Sequence, residues 1–211
     1  MRDPVIEPSS DHAGSRGDDR APIIEALAVA GIAEPREFRA HVAPNGIVSI
    51  LFSDVVDSSP IFERLGDLRA QQIIDAHNAI IRWQVALQQG FEVKTMGDRF
   101  MIAFSSAWRA LQCAIGIQRA MAEYRDQHRD EPIEVRIGLH IGEAVGESDD
   151  FFGKAVILAA RIAGLAQGGE ILISSTMYDV TASAGSFRFA EAGEVPLKGL
   201  SGTHRLYRVN W

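Results

Sequence analysis

Between Gly46 and Ala144 the apolar residues alternate between strand spacing and helix spacing, and the order of these changes limits the fold more than any other feature. "GIVSILF", Gly46 to Phe52, is a short β-rich run and reads as a first strand. Ser58 and Ser59 offer a helix N-cap, with Pro60 suited to the first helical position. Ile61, Phe62, Leu65, Ile73, Ile74, His77, Ile80, Ile81 and Leu87 then recur at helical spacing, which predicts one helix through about residue 88. Gly90 ends it. "FEVKTMGDRFMIAF" follows as a hairpin, with strands over 91–95 and 99–104 around Gly97. Leu111, Ala114, Ile115, Gln118 and Met121 mark a second helix over 106–125. "IEVRIGLHIGEA" alternates strictly and puts Val135, Ile137, Leu139 and Ile141 on one face. A helix over 154–166, a strand over 170–174, a short helix near 175–182 and two closing strands complete the chain. The core order β-α-β-β-α-β is the ferredoxin-like arrangement: an α+β fold with helices covering one face of a mostly antiparallel sheet, plus additional C-terminal strands and a helix.

The 211 residues are enough for one domain of ordinary size and about forty residues besides. Residues 1–44 form an N-terminal segment: 1–20 read as disordered, being poor in apolar residues and rich in turn formers, and 22–42 as short helices broken near Gly31 and Pro35. Pro44-Asn45-Gly46 is a turn signal, so the compact domain is expected over 45–211. No apolar run reaches the ~18 residues of a membrane span. The acidic, Ser- and Pro-containing start does not read as a secretory signal. Cys113 alone can form neither an intramolecular disulfide nor a thiolate metal cluster, and together these features predict a cytoplasmic protein. A net charge of −7 argues against nucleic acid as a partner, because neutralising phosphates takes a basic face.

The hairpin carries two residues that packing alone does not require. A turn accounts for Gly97 and tolerates Asp98, but Lys94 sits back in the first strand. Asp54 lies just past the opening strand in "LFSDVVDSSP", at the entrance to a helix. The first strand of a ferredoxin-like sheet is central and neighbours the hairpin, so Asp54 and Asp98 can converge at one end of it. Each alone also reads as an ordinary strand-end or turn residue. Two hard oxygen ligands without His or Cys suit Mg²⁺ or Mn²⁺ rather than zinc, and Mg²⁺ is commonly completed by waters and substrate phosphates. The helix start at Ser58 and Ser59 offers unpaired backbone N–H groups to the same phosphates.

Five stretches, "VSILFSDVVDSS", "EVKTMGDRFMIAF", "VRIGLHIGEAVGESDDFFGKAVILAARIAGLA", "GGEILISS" and "LKGLSGTHRLYRV", together resemble the catalytic domain of class III nucleotidyl cyclases, with bacterial adenylate cyclases the nearest likeness. The resemblance runs in order over about residues 47–209. It implies that Asp54 and Asp98 are the metal-binding aspartates, with the Val55 carbonyl as a further ligand, and that two ions are held per site. Lys94 matches the base-reading lysine and Asp150 its partner, with Asp149 adjacent and one register step away. Arg161 matches the arginine that stabilises charge on the reacting phosphate, and Lys198 a lysine on the terminal phosphates.

The implied reaction converts ATP to 3′,5′-cyclic AMP and pyrophosphate by two-metal phosphoryl transfer, with ions roughly 3.5–4 Å apart. Lys only donates hydrogen bonds and ionised Asp only accepts them. The pair therefore complements the N1 acceptor and 6-amino donor of adenine, while guanine presents the reverse pattern. Such a site can reject the wrong base by ~10⁴-fold, so ATP is favoured over GTP. In this class the metal aspartates of one subunit meet the base-reading pair and arginine of the other, which implies a homodimer with two composite active sites.

Two positions depart from the family pattern. Ile157 stands where an asparagine usually holds the ribose, four residues before Arg161, and Arg99 stands where many bacterial relatives carry glycine. The competing reading is a catalytically silent cyclase-like module that binds nucleotide and regulates something else; guanylate cyclase fits poorly with Lys94 and Asp150. Cys113, His77 and His140 read as structural residues.

Overall fold

The computed structural model describes residues 45–131, 133–147 and 150–211. The expectations for 1–44, the boundary at Pro44 and the candidate Asp149 lie outside them. The element order is β1 (Asn45–Val55), α1 (Ser58–Leu65), α2 (Asp67–Leu87), β2 (Phe91–Met96), β3 (Arg99–Phe104), α3 (Ala107–Gln127), β4 (Val135–Glu147), β5 (Asp150–Phe152), α4 (Lys154–Ala163), β6 (Ile171–Ser174), α5 (Ser175–Ala182), β7 (Arg188–Pro196) and β8 (Thr203–Asn210). The strands form one sheet in the order β2-β3-β1-β4-β6-β8-β7, with β5 against the far end of β4. Among the described residues, only β4 and β6 run parallel. The first four strands of this order are the ferredoxin-like core, with β1 central between β3 and β4.

The single helix expected from Ser58 to about residue 88 is two. Gly66 has φ 73° and separates α1 from α2, a left-handed conformation that glycine adopts at no steric cost. Pro60 falls inside α1 rather than at its first position, because the helix already begins at Ser58 behind Asp57. The short strand β5, paired with the far end of β4, is not expected from the sequence, and the other strand and helix positions agree with the apolar periodicity to within a few residues.

Helices lie on both faces of the sheet, not on one. Leu51, Val55, Phe100, Ile102, Val135, Ile137 and Leu139 pack against Ile73 and Ile81 of α2 and Leu111 and Ile117 of α3. On the other face Ile50, Phe52, Met101 and Ala103 pack with Phe151, Ala159 and Ala163, the last two from α4. The parallel pair explains this arrangement. Joining β4 to β6 requires a crossover, and α2 and α3 already fill one face, so α4 crosses on the other.

Two glycines admit α4 to the sheet. A Cβ on Gly138 would lie 2.1 Å from the Ala163 backbone nitrogen, and one on Gly142 would lie 3.3 Å from Ala155 Cβ. The helix therefore runs antiparallel to β4, its first turn over Gly142 and its last over Gly138. Eight helical residues and four strand residues each span about 12–13 Å, so the two contacts stay in step.

The residues that looked structural are buried. Cys113 is fully enclosed, and burial pushes its thiol pKa well up. His140 is 8% exposed and its Nδ1 is 2.8 Å from Ser174 Oγ. Gln118 donates from Nε2 to the Val135 carbonyl at 2.8 Å, tying α3 to the start of β4. Among the described residues no helix is long and apolar enough to cross a membrane.

Candidate active site

Asp54 belongs to the sheet face that α4 covers. Side chains alternate along β1, so Ile50, Phe52 and Asp54 share one face, and Asp54 is only 7% exposed. It sits directly opposite Arg136 on β4. Arg136 Nε donates to Asp54 Oδ2 at 3.0 Å, and its Nη2 donates to the same oxygen. Arg99, just past the last β1–β3 pair, adds Nη2 to Oδ2 at 3.1 Å and Nε to Oδ1 at 3.4 Å. The carboxylate is thus clamped by two guanidinium groups.

Asp98 precedes Arg99 at the hairpin tip, and its Oδ2 is buried without a hydrogen-bond partner. Its charge acts on the same groups as that of Asp54: both carboxylates raise the pKa of Arg99 and oppose the burial that lowers the pKa of His77. The two aspartates therefore share one electrostatic neighbourhood at the end of β1 and β3. A buried carboxylate oxygen with no donor is costly, and a hard cation is a partner that would satisfy it. Among the described residues no group of three or more His, Cys, Asp or Glu could hold a metal. Carboxylate oxygens are hard donors without sulfur or imidazole, and with waters or substrate oxygens to complete the set they would fit Mg²⁺ or Mn²⁺.

Lys94 reaches the same face by an irregularity of the backbone. The β2–β3 register shifts between Glu92, opposite Ile102, and Lys94, opposite Met101. This bulge turns Lys94 onto the face of Met101 and Phe52, whereas uninterrupted alternation would have aimed it into the α2–α3 side. Its Nζ donates to Asp150 Oδ2 at 2.5 Å and lies 5.8 Å from the Phe152 ring centroid. The other oxygen of Asp150 accepts from the Phe151 backbone N–H at 2.8 Å, which fixes the carboxylate.

Arg161 and Lys198 also come together. Arg161 Nε donates to the Lys198 carbonyl at 3.1 Å, and both side chains are exposed. Ile157 and Lys154 lie on the same face of α4 as Arg161, with Ile157 45% exposed. At the start of α1, Ser58 is half-buried and Ser59 exposed; Asp57 has φ 50° and makes no side-chain cap, so neither serine is the N-cap. The first-turn N–H groups remain without a side-chain cap.

The adenylate and guanylate cyclase catalytic domain model matches residues 41–210. The chain belongs to that family. This cyclase domain is 32% identical over 157 residues to an adenylate cyclase of Podospora anserina, covering 63% of this chain and 7% of that protein. It is 30% identical over 155 residues to putative adenylate cyclase 3 of Rhizobium meliloti, covering 73% of this chain and 26% of that protein. The chain thus spans about a quarter or less of the length of these relatives. The crystal structure of an adenylate/guanylate cyclase/hydrolase from Silicibacter pomeroyi superposes with a TM-score of 0.69 at 32% identity, over 77% of this chain and 95% of that one.

Arg136 is the site residue that sequence reading missed. Strand alternation puts it on the face of His140, but its position opposite Asp54 depends on the β1–β4 register. In the sequence Arg99 stands out only as a departure from the family, and its reach to Asp54 follows from the hairpin register.

Proposed function

We propose that this cyclase domain converts ATP to 3′,5′-cyclic AMP and pyrophosphate. The observation that carries the reading is the Lys94–Asp150 pair: a donor and an acceptor 2.5 Å apart on one sheet face. Adenine offers N1 to the lysine and its 6-amino group to the aspartate; guanine would meet a donor with a donor and an acceptor with an acceptor. The adenylate cyclases among its relatives support the same substrate.

Asp54 and Asp98, with the Val55 carbonyl, would hold up to two divalent ions. When bound there, divalent ions would supply charge neutralisation on the triphosphate and Lewis acidity at the ribose 3′-hydroxyl. The chain's own part is positioning and electrostatics. Arg161 faces the charge that builds on the reacting phosphoryl group, and Lys198 holds the terminal phosphates. The exposed N-terminus of α1 at Ser58 and Ser59 presents N–H groups to phosphate oxygens. The complete site is assembled in a homodimer, with the aspartates from one subunit and the Lys94–Asp150 pair and Arg161 from its partner.

Purified protein incubated with ATP and Mn²⁺ should form cyclic AMP, identified by chromatography against a standard. Product no higher than that of Asp54→Ala would reject catalysis. The exposed Ile157 favours the second reading, a slow or silent nucleotide-binding module, because its side chain cannot hydrogen-bond a ribose. Under that reading ATP binds to the protein and no cyclic AMP forms.

A further inference from the structure

We propose that Arg99 is a built-in competitor for the divalent cation at Asp54 and thereby sets the metal affinity of the site; this rests on the reading of Asp54 and Asp98 as cation ligands. The two arginines on Asp54 are not equivalent. Arg136 springs from β4 in direct register with Asp54, places Nε and Nη2 on Oδ2, and has a side chain 28% exposed. Arg99 comes from the hairpin tip, its side chain is 49% exposed, and its contacts are the longer ones, at 3.1 and 3.4 Å.

The division between the two oxygens follows. Oδ2 is held by Arg136 whether or not Arg99 is present. Among the described residues, the only hydrogen bond to Oδ1 comes from Arg99 Nε. When Arg99 swings toward solvent, Oδ1 is released, and Asp98, the neighbour of Arg99 at the hairpin tip, already has a buried Oδ2 without a donor. One carboxylate oxygen from each aspartate then becomes available together, while Arg136 continues to orient Asp54. Charge works in the same direction. Asp54 and Asp98 are balanced by Arg99 and Arg136, so a cation approaches a locally neutral cluster; removing Arg99 leaves one net negative charge for it to meet.

The test uses Mn²⁺ alone with the full chain and no nucleotide, following loss of the free aquo-ion signal by electron paramagnetic resonance. Arg99→Gln should bind Mn²⁺ about two- to fivefold more tightly than the parent protein, the scale of one partly exposed ion pair. Arg99→Lys keeps the charge but loses the forked hydrogen bonds, and should fall between the two. Far-ultraviolet circular dichroism verifies that the variants fold, and Arg99→Lys carries the test if Arg99→Gln does not. Equal or weaker binding in the Arg99 variants, with Asp98→Asn still weakening Mn²⁺ binding, would overturn the competition while leaving the cation site intact. Binding that survives both Asp54→Asn and Asp98→Asn unchanged would instead overturn the cation site itself, and the role of Arg99 with it.

Discussion

Lys94 Nζ and Asp150 Oδ2 stand 2.5 Å apart although 56 residues separate them in the chain, and a bulge in β2 is what aims the lysine there. The pair is partly exposed, at 39% and 28% of its side chains, so its own ion-pair energy is small. Its value is the pattern of one donor beside one acceptor, held by Phe151 N–H and flanked by the exposed Phe152 ring.

Reversing that pattern should reverse the base preference. Lys94→Glu with Asp150→Ser presents an acceptor to the N1–H of guanine and a hydroxyl donor to its O6. The ratio of kcat/KM for ATP to that for GTP should fall by at least ~10²-fold, since mismatched buried polar groups discriminate more strongly than apolar contacts. An unchanged ratio would remove Lys94 and Asp150 from base reading.

The alternation of apolar residues was enough to place β1, the hairpin, α3 and β4, because burial on one face enforces a strict period. It could not show the break at Gly66, where helical spacing continues through a glycine that turns the backbone. Nor could it show that α4 covers the opposite face, which depends on a parallel β4–β6 pairing between distant segments. In the site, Asp54 and Asp98 were legible as carboxylates at strand ends. The Arg136 clamp was not, because it follows from which residues face each other across β1 and β4. The bulge that orients Lys94 has no glycine or proline to announce it.

Gly138 should not tolerate a side chain. The Cβ of Gly138→Ala would sit 2.1 Å from a backbone nitrogen of α4, so the helix must move rather than a flexible side chain. We expect a loss of about 1–3 kcal/mol in denaturant unfolding. A small drop in stability together with full activity would show that α4 can shift without disturbing Arg161.

His140 should make the fold acid-sensitive. Burial, with smaller contributions from His204 and Lys154, lowers its pKa from 6.5 to about 4. Between these values the unfolded chain binds a proton that the folded chain excludes, so stability rises with pH across this window. It is fully present above about pH 6.5, falls as the pH drops, and levels off below about 4. The loss from this group is at most about 3 kcal/mol. Urea unfolding at several pH values should show a shallower slope in His140→Asn than in the parent protein. A parallel slope would place the acid sensitivity elsewhere, with buried His77 the next group to test.

The proposed homodimer makes a prediction that no single-chain mechanism shares. Asp98→Ala removes a proposed cation ligand and Arg161→Ala a proposed phosphate-facing cation, so each homodimer should be inactive. In a mixed dimer, one composite site carries both lesions and the other carries neither. With random mixing, half of the dimers are mixed and each has one intact site of two, so about a quarter of parental activity should return. Differently tagged chains, co-purified through both tags, isolate the mixed dimers and raise that expectation to about half. Inactive mixed dimers would mean that the aspartates and the arginine must belong to the same chain. The base-reading pair would then serve the aspartates of its own chain, across the sheet face that Asp54 and Lys94 share.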